Sequence, residues 1–366
     1  MVQGLRGFTR RVFPLAIREA PRERARGMTT NKPHRVTSID VAEKAGVSQS
    51  TVSRALSGSE TITEATRRRV EQAAAELGYH VNMRAAGLRK GETGSIAIVV
   101  IGREGQGPAA INPFYYSLLG STCAAAAERG YEALVSFQAQ QDEFFGHYVA
   151  RRQADGVVVI GTATNGPAWD YFRSVADESS SIAFWGSPFD DAVWVRSDNM
   201  AGGCLAVERL VKGGAKNIVF VGDPNSSQKQ FRERFEGYQA GMKAAGLEAR
   251  PAFVSVGSDR VSQGRNAIIR LTESGTDFDG LFFACDAMAL GALEELALRD
   301  LNVPADVGVV GFDGLGSGEF SNPPLTTVEP DFAEAGRLLV ETALAGEGEQ
   351  GVRRVPVKLV ERSSVS

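Results

Sequence analysis

Apolar residues along this chain follow two different spacings, and the change falls near residue 92. Before it, they recur at helical intervals: Val41, Ala42 and Ala45; then Val52, Ala55 and Leu56; then Val70, Ala74 and Leu77. A hydroxyl residue able to cap a helix precedes each set: Ser38, Ser48 and Thr63. A glycine able to end one follows: Gly46, Gly58 and Gly78. The pattern predicts three short helices with a tight turn between the first two, a helix-turn-helix head over residues 36–81.

Beyond residue 92 the apolar residues come as continuous runs: Ile96–Ile101, Ala133–Phe137, Gly156–Ile160, Ile182–Trp185, Ile218–Val221, Ala252–Val256, Gly280–Ala284 and Val307–Phe312. Such runs fit strands buried on both faces. Helical patterns lie between them, at 116–129, 200–213, 231–246 and 287–299. Alternating strands and helices predict parallel βαβ units, and eight runs fit two open sheets better than one. The expected fold class is α/β.

Charge sharpens this division. Residues 1–91 hold 17 Lys and Arg against 8 Asp and Glu; the remaining residues hold 23 against 36. A basic head on an acidic body points to a polyanion as partner of the head alone. Cys123, Cys204 and Cys285 lie far apart without metal-ligand spacing, which fits reduced thiols in a cytoplasm. No apolar run is long enough to span a membrane. Residues 1–27, with seven arginines, read as a disordered extension ahead of a natural start at Met28. The 1–35 segment is expected to carry no fold of its own.

The stretch "VSQSTVSRALSG" offers short donors where a core helix would carry apolar groups. If the second helix of the head enters a major groove, Gln49, Ser50 and Arg54 face base edges. Ser48, Thr51 and Ser53 then reach phosphate oxygens.

The chain resembles the LacI family of bacterial transcription repressors. The likeness runs through "VTSIDVAEKAGVSQSTVSRALSGSETITEATRRRVEQAAAELGYHVN", "DGVVVIG", "SDNMAGGCLAVERLVKGGAKNIVFVGDP", "RFEGYQAGMKAAGL", "CDAMALGALEEL", "VPADVGVVGFDG" and "PPLTTVEPDFAEAGRLLVETAL". It implies a DNA-binding head, a hinge helix over residues 82–93, and a two-lobed core similar to periplasmic sugar-binding proteins over 94–366. Lobe 1 is expected at about 94–196 and 328–352, and lobe 2 at about 197–327 and 353–366. The likeness further implies a homodimer on a pseudo-palindromic operator. Leu88 would be the minor-groove wedge, with Asn82, Arg84 and Arg89 holding the backbone or groove. Two departures stand out: Gly87 beside the wedge, and Val81 where the family usually has proline. The family's tetramer-forming extension is not seen after "KLVERSSVS", which favours a dimer.

For the core, the resemblance implies a cleft that takes a small polar effector, expected to be a sugar. Arg234 and Asp286 match the family's charged pair. Phe114, Tyr115 and Trp185 are candidates for its apolar floor, and Asp259 and Gln230 are weaker candidates. Asp198 reads equally as a helix cap. "GREGQG" is not a dinucleotide fingerprint, and the three histidines form no triad or metal set. The expectation is therefore a ligand-controlled repressor with no catalytic group, metal or cofactor. The alternatives are control by a protein partner, or a solute-binding protein, which would need a secretion signal and no DNA-binding head.

Overall fold

The computed structural model describes residues 36–79, 91–186, 194–345 and 352–366, in two units that divide at Asn82 and Met83. The expected hinge residues Asn82, Arg84, Leu88 and Arg89 lie outside the described residues.

The head holds three helices: α1 (Ser38–Ala45), α2 (Gln49–Leu56) and α3 (Glu64–Leu77). Val41, Ala42, Ala45, Val52, Ala55, Val70, Ala73 and Ala74 close a small core between them. Gly46 takes the left-handed φ of 62° that turns α1 into α2. The cap of α1 is Thr37, one residue before the expected Ser38. Its backbone N–H and hydroxyl both donate to Asp40, at 2.7 Å. Asp40 sits where a capping box needs its acid, and this settles the start of the helix.

The core is built on two sheets. The first contains β1 (Ser95–Ile101), β2 (Glu132–Gln138), β3 (Gly156–Gly161), β4 (Ile182–Trp185), β5 (Trp194–Ser197) and β10 (Val352–Val355). They lie all parallel in the order β10-β5-β4-β3-β1-β2. Helices α4 (Pro113–Glu128), α5 (Gly166–Glu178) and α10 (Phe332–Leu344) belong to this lobe. Along β1, Ile96, Ile98 and Val100 enter one apolar cluster, and Ala97, Val99 and Ile101 another. That double burial explains why β1 reads as an unbroken apolar run.

The second sheet has the order β11-β9-β8-β7-β6. Its strands are β6 (Ile218–Val221), β7 (Gly280–Phe283), β8 (Gly308–Phe312), β9 (Thr326–Pro330) and β11 (Val357–Val360), the last antiparallel to β9. Helices α6 (Asn199–Lys212), α7 (Lys229–Ala244), α8 (Arg260–Glu273) and α9 (Asp286–Leu298) pack on it.

Three expectations need correction. Ala252–Val256 forms no strand; Phe253 alone makes one bridge, to Val221. Val254 and Val256 are exposed, so the run lacks the burial on both faces that the paired apolar strands have. Four strands escaped the apolar pattern: β5, β9, β10 and β11. β5 and β10 carry arginines, β11 carries Lys358, and β9 opens on two threonines, so none reads as an unbroken apolar run. The lobe limits at 328 and 352–353 cut through β9 and β10. Their pairing puts the crossings after Ser197, after Pro330 and between Val355 and Val357.

Candidate functional site

On the head, Ser48 caps α2 by accepting from the Thr51 N–H at 3.2 Å. Its hydroxyl also lies 2.8 Å from that of Ser50 and 2.9 Å from that of Thr51. The cap that starts the helix thus gathers the hydroxyls at its exposed end. Gln49 donates to the Ser38 hydroxyl at 2.9 Å. Ser48, Gln49, Ser50 and Arg54 are exposed, whereas Thr51 and Ser53 are half-buried. Arg67 donates to the Ser59 carbonyl at 3.1 Å and pins the turn behind α2. Val52 and Ala55 anchor the opposite face of α2, so its polar face is held outward by packing.

In the core, a cleft opens at the carboxyl ends of the strands, where open α/β sheets place ligands. An inner chamber of about 50 Å³ joins an outer one of about 310 Å³; Asn112, Tyr115, Gln228 and Arg260 line both. The first lobe supplies aromatic walls to the inner chamber: Phe114, Tyr115 and Trp185. The Phe114 ring lies 5.4 Å from that of Tyr115 and 5.9 Å from that of Trp185. The second lobe supplies Phe231, Arg234, Cys285 and Asp313. A larger groove of about 490 Å³ runs along the amino ends of β1 and β2, the wrong end of the sheet for such a site.

Arg234 is 5% exposed and held through its Nε and Nη1. It donates to Asn199 Oδ1 at 2.9 Å and to the Ala284 carbonyl, pairs with Asp313 at 3.1 Å, and lies 3.5 Å above the Phe312 ring. Its position depends on the close approach of α6 and α7. A Cβ on Gly237 would sit 2.2 Å from the Met200 carbonyl, and one on Gly203 2.5 Å from that of Arg234. Two facing glycines therefore bring Asn199 within reach of Arg234.

Asp286 does not line the cleft. It is fully buried at the start of α9, accepting from the Leu315 N–H at 2.7 Å and the Thr327 hydroxyl at 2.6 Å. Burial, reinforced by the charge of Asp313, pushes its carboxyl up to about 7. The acid that faces the cleft beside Arg234 is Asp313, at the end of β8 with φ 119°. Burial raises it to about 6, against the pull of Arg234. The sequence did hold a signal for Asp313. A lone acid and a glycine directly after an apolar strand mark the carboxyl end of that strand.

Asp259 lines the outer chamber but caps α8. Its carboxylate accepts from the Ser262 N–H at 2.8 Å and from the Ser258 hydroxyl at 3.0 Å. Asp198 caps α6 through the Ala201 N–H at 3.0 Å. Gln230 faces the inner chamber and donates to the Gly186 carbonyl at 3.2 Å. Its buried Oε1 has no partner among the described residues, so it is open to a hydroxyl donor. Arg260, Gln228 and Asn112 were missed by sequence reasoning, because loop and helix-start polar residues carry no periodic signal.

With this geometry in hand, the relatives can be placed. Residues 38–82 match the family model "bacterial regulatory proteins, lacI family", and residues 207–365 match "periplasmic binding protein-like domain". The HTH-type transcriptional regulator CelR of Thermobifida fusca is 32% identical over 326 residues, covering 86% of this chain and 94% of that protein. A solved CelR–cellobiose complex superposes with a TM-score of 0.62 at 30% identity, over 90% of this chain and 100% of that one. The lac repressor dimer bound to operator and an anti-inducer gives a TM-score of 0.69 at 26% identity, over 90% and 98%. Among the described residues no helix is long and apolar enough to cross a membrane.

Proposed function

We propose that this chain, which belongs to the LacI family of bacterial transcription regulators, is a repressor whose grip on an operator is set by a sugar held between the two lobes of its core. The observation that carries this reading is the Arg234–Asp313 pair, 3.1 Å apart among aromatic walls. A guanidinium fork and a carboxylate side by side satisfy neighbouring hydroxyls as donor and acceptor. Phe114, Tyr115, Trp185 and Phe231 offer apolar faces to the C–H face of a sugar ring. One wall comes from each lobe, so a ligand that touches both favours one arrangement of the lobes over others.

DNA recognition rests on α2. Gln49, Ser50 and Arg54 read bases, while Ser48, Thr51 and Ser53 contact phosphates. The protein acts in the cytoplasm as a homodimer on a pseudo-palindrome, without a catalytic role. The outer strand β2 leaves Val135 and Phe137 exposed, with Tyr116 beside them, an apolar edge that suits a second copy. The chamber sizes favour a small sugar over a macromolecular ligand.

The decisive experiment is a thermal-shift screen of mono- and disaccharides, followed by operator titration with and without each hit. A ligand selective for the native state raises the melting temperature. Arg234→Ala should abolish that shift and leave operator binding in place. A full shift in the Arg234 variant would remove the cleft from the proposal.

A further inference from the structure

Building on the sugar-cleft reading above, we infer that the effector is an anionic sugar, a sugar acid or a sugar phosphate, and that Arg260 receives its charged group. The inner chamber carries unequal charge. Arg234 and Arg260 both line it, and among the described residues Asp313 is the one carboxylate that does. Asp313 is already committed to Arg234 at 3.1 Å. The other ionisable groups on this wall stay neutral: burial pushes the Cys285 thiol up to about 12 and the Tyr115 hydroxyl above its usual range.

Arg260 has no carboxylate within ion-pair distance among the described residues. Its guanidinium donates to Gln263 Oε1 at 2.7 Å and to Gln228 Oε1 at 2.8 Å. It rests 4.7 Å from the centre of the Phe231 ring. These neutral partners fix its position without cancelling its charge. Asp259, next in sequence, keeps its carboxylate on Ser258 and Ser262 and makes no ion pair with Arg260. In the outer chamber Arg103 adds a further cation and Asp259 the only acid among the described residues. Among the described residues the cleft therefore presents one positive charge more than its acids balance, and it does so where the two chambers meet.

Asp313 feels the charge of Arg260 only from beyond ion-pair distance. A held guanidinium without an ion-pair partner in a concave site is a receptor for an oxyanion, because a charge-assisted fork bonds carboxylate or phosphate oxygens more strongly than hydroxyls. Arg234 and Asp313 would hold the ring hydroxyls. Arg260 would take the carboxylate or phosphate at the ring's far end, with the Asn112 side chain nearby in both chambers.

The test is calorimetric titration of the full chain with matched pairs: glucuronate and gluconate against glucose, galacturonate against galactose, and glucose 6-phosphate against glucose. At least one anionic member should bind roughly ten- to a hundredfold more tightly than its neutral partner. Arg260→Gln should erase that preference, and Arg260→Lys should restore part of it. Better binding by the carboxylates assigns a sugar acid; better binding by the phosphate assigns a sugar phosphate. Neutral sugars that bind as well as or better than their anionic partners, with a response lost in Arg234→Ala, would overturn the anionic assignment and leave the sugar cleft standing. No binding by either series would overturn both. An anionic preference that survives in Arg260→Gln would remove Arg260 from the role.

Discussion

At the scale of single residues, the two faces of function rest on different physics. Arg54 is exposed on α2 and free to follow a groove, whereas Arg234 is buried and held by four neighbours before any ligand arrives. Arg54→Ala should weaken operator binding by about 1–3 kcal/mol and relax preference at one base pair, as loss of a bidentate base contact does. Binding measured across a set of operator variants decides this; equal weakening on every sequence would place Arg54 on phosphate. Asp313 makes a second residue-scale prediction. With its carboxyl at about 6, it is an acceptor above that pH and protonated below it. Affinity for a neutral sugar should hold between pH 8 and 7 and fall as pH drops through 6. Asp313→Asn should bind weakly and without that pH dependence. The same raised values act oppositely on folding. Asp286 and Asp313 keep protons that the unfolded chain has released above its ordinary carboxyl range. Their contribution to stability is therefore complete below about pH 4 and is withdrawn as pH rises through 6 and 7.

At the scale of elements, Asp286 is a fastener. It joins the start of α9 to the loop after β8 through Leu315, and to β9 through Thr327. Gly311 in β8 makes room for it, since a Cβ there would lie 2.1 Å from its Oδ1. Asp286→Ala leaves two buried donors unpaired, at roughly 1–3 kcal/mol each. The variant should unfold at clearly lower urea, while Asp286→Asn, which keeps an acceptor, should lose less. An unchanged unfolding midpoint together with lost sugar binding would return Asp286 to the ligand site. This is also where sequence reasoning met its limit. The head was legible because hydroxyl caps, apolar spacing and closing glycines agree over α1 to α3, and β1, β3 and β4 were legible because both faces are buried. β5 was hidden by Arg196, a charge that reads as surface but is 1% exposed. Phe114, Tyr115, Trp185 and Arg234 were found through resemblance and do line the cleft. Asp286 was placed there on the same grounds, yet an acid at a helix start looks alike in sequence whether it faces a ligand or a neighbouring loop. In the structure it is Asp313 that holds the open position beside Arg234.

At the scale of the whole molecule, the core needs a link between the cleft and the lobe crossings, and Glu233 occupies that place. From α7 of the second lobe it pairs with Arg196 on β5 at 2.5 Å and with Arg354 on β10 at 2.7 Å, both strands of the first lobe. It also accepts from Asn199 at 2.8 Å, and Asn199 in turn accepts from Arg234 at 2.9 Å. A ligand that draws on Arg234 therefore acts two hydrogen bonds away from an ion cluster that spans the lobes. Burial alone would raise the Glu233 carboxyl, but Arg354, Arg196 and Asn199 hold it below the usual range. The bridge is thus fully formed at neutral pH and is lost only on acidification. An effector shifts the lobes by no more than its difference in affinity for their two arrangements, typically about 1–3 kcal/mol, or roughly 5–150-fold in operator affinity. If the bridge carries that difference, Glu233→Gln should keep sugar affinity within a few-fold and lose most of the operator response. Removing the carboxylate partner of the buried Arg196 can itself cost about 3–5 kcal/mol of stability. The more exposed Arg354→Gln therefore serves as the gentler variant, expected to reduce the response without unfolding the core. Operator titrations with and without the sugar found by screening measure both. A wild-type response in the two variants, each shown to bind the sugar, would mean that the lobes communicate by another route.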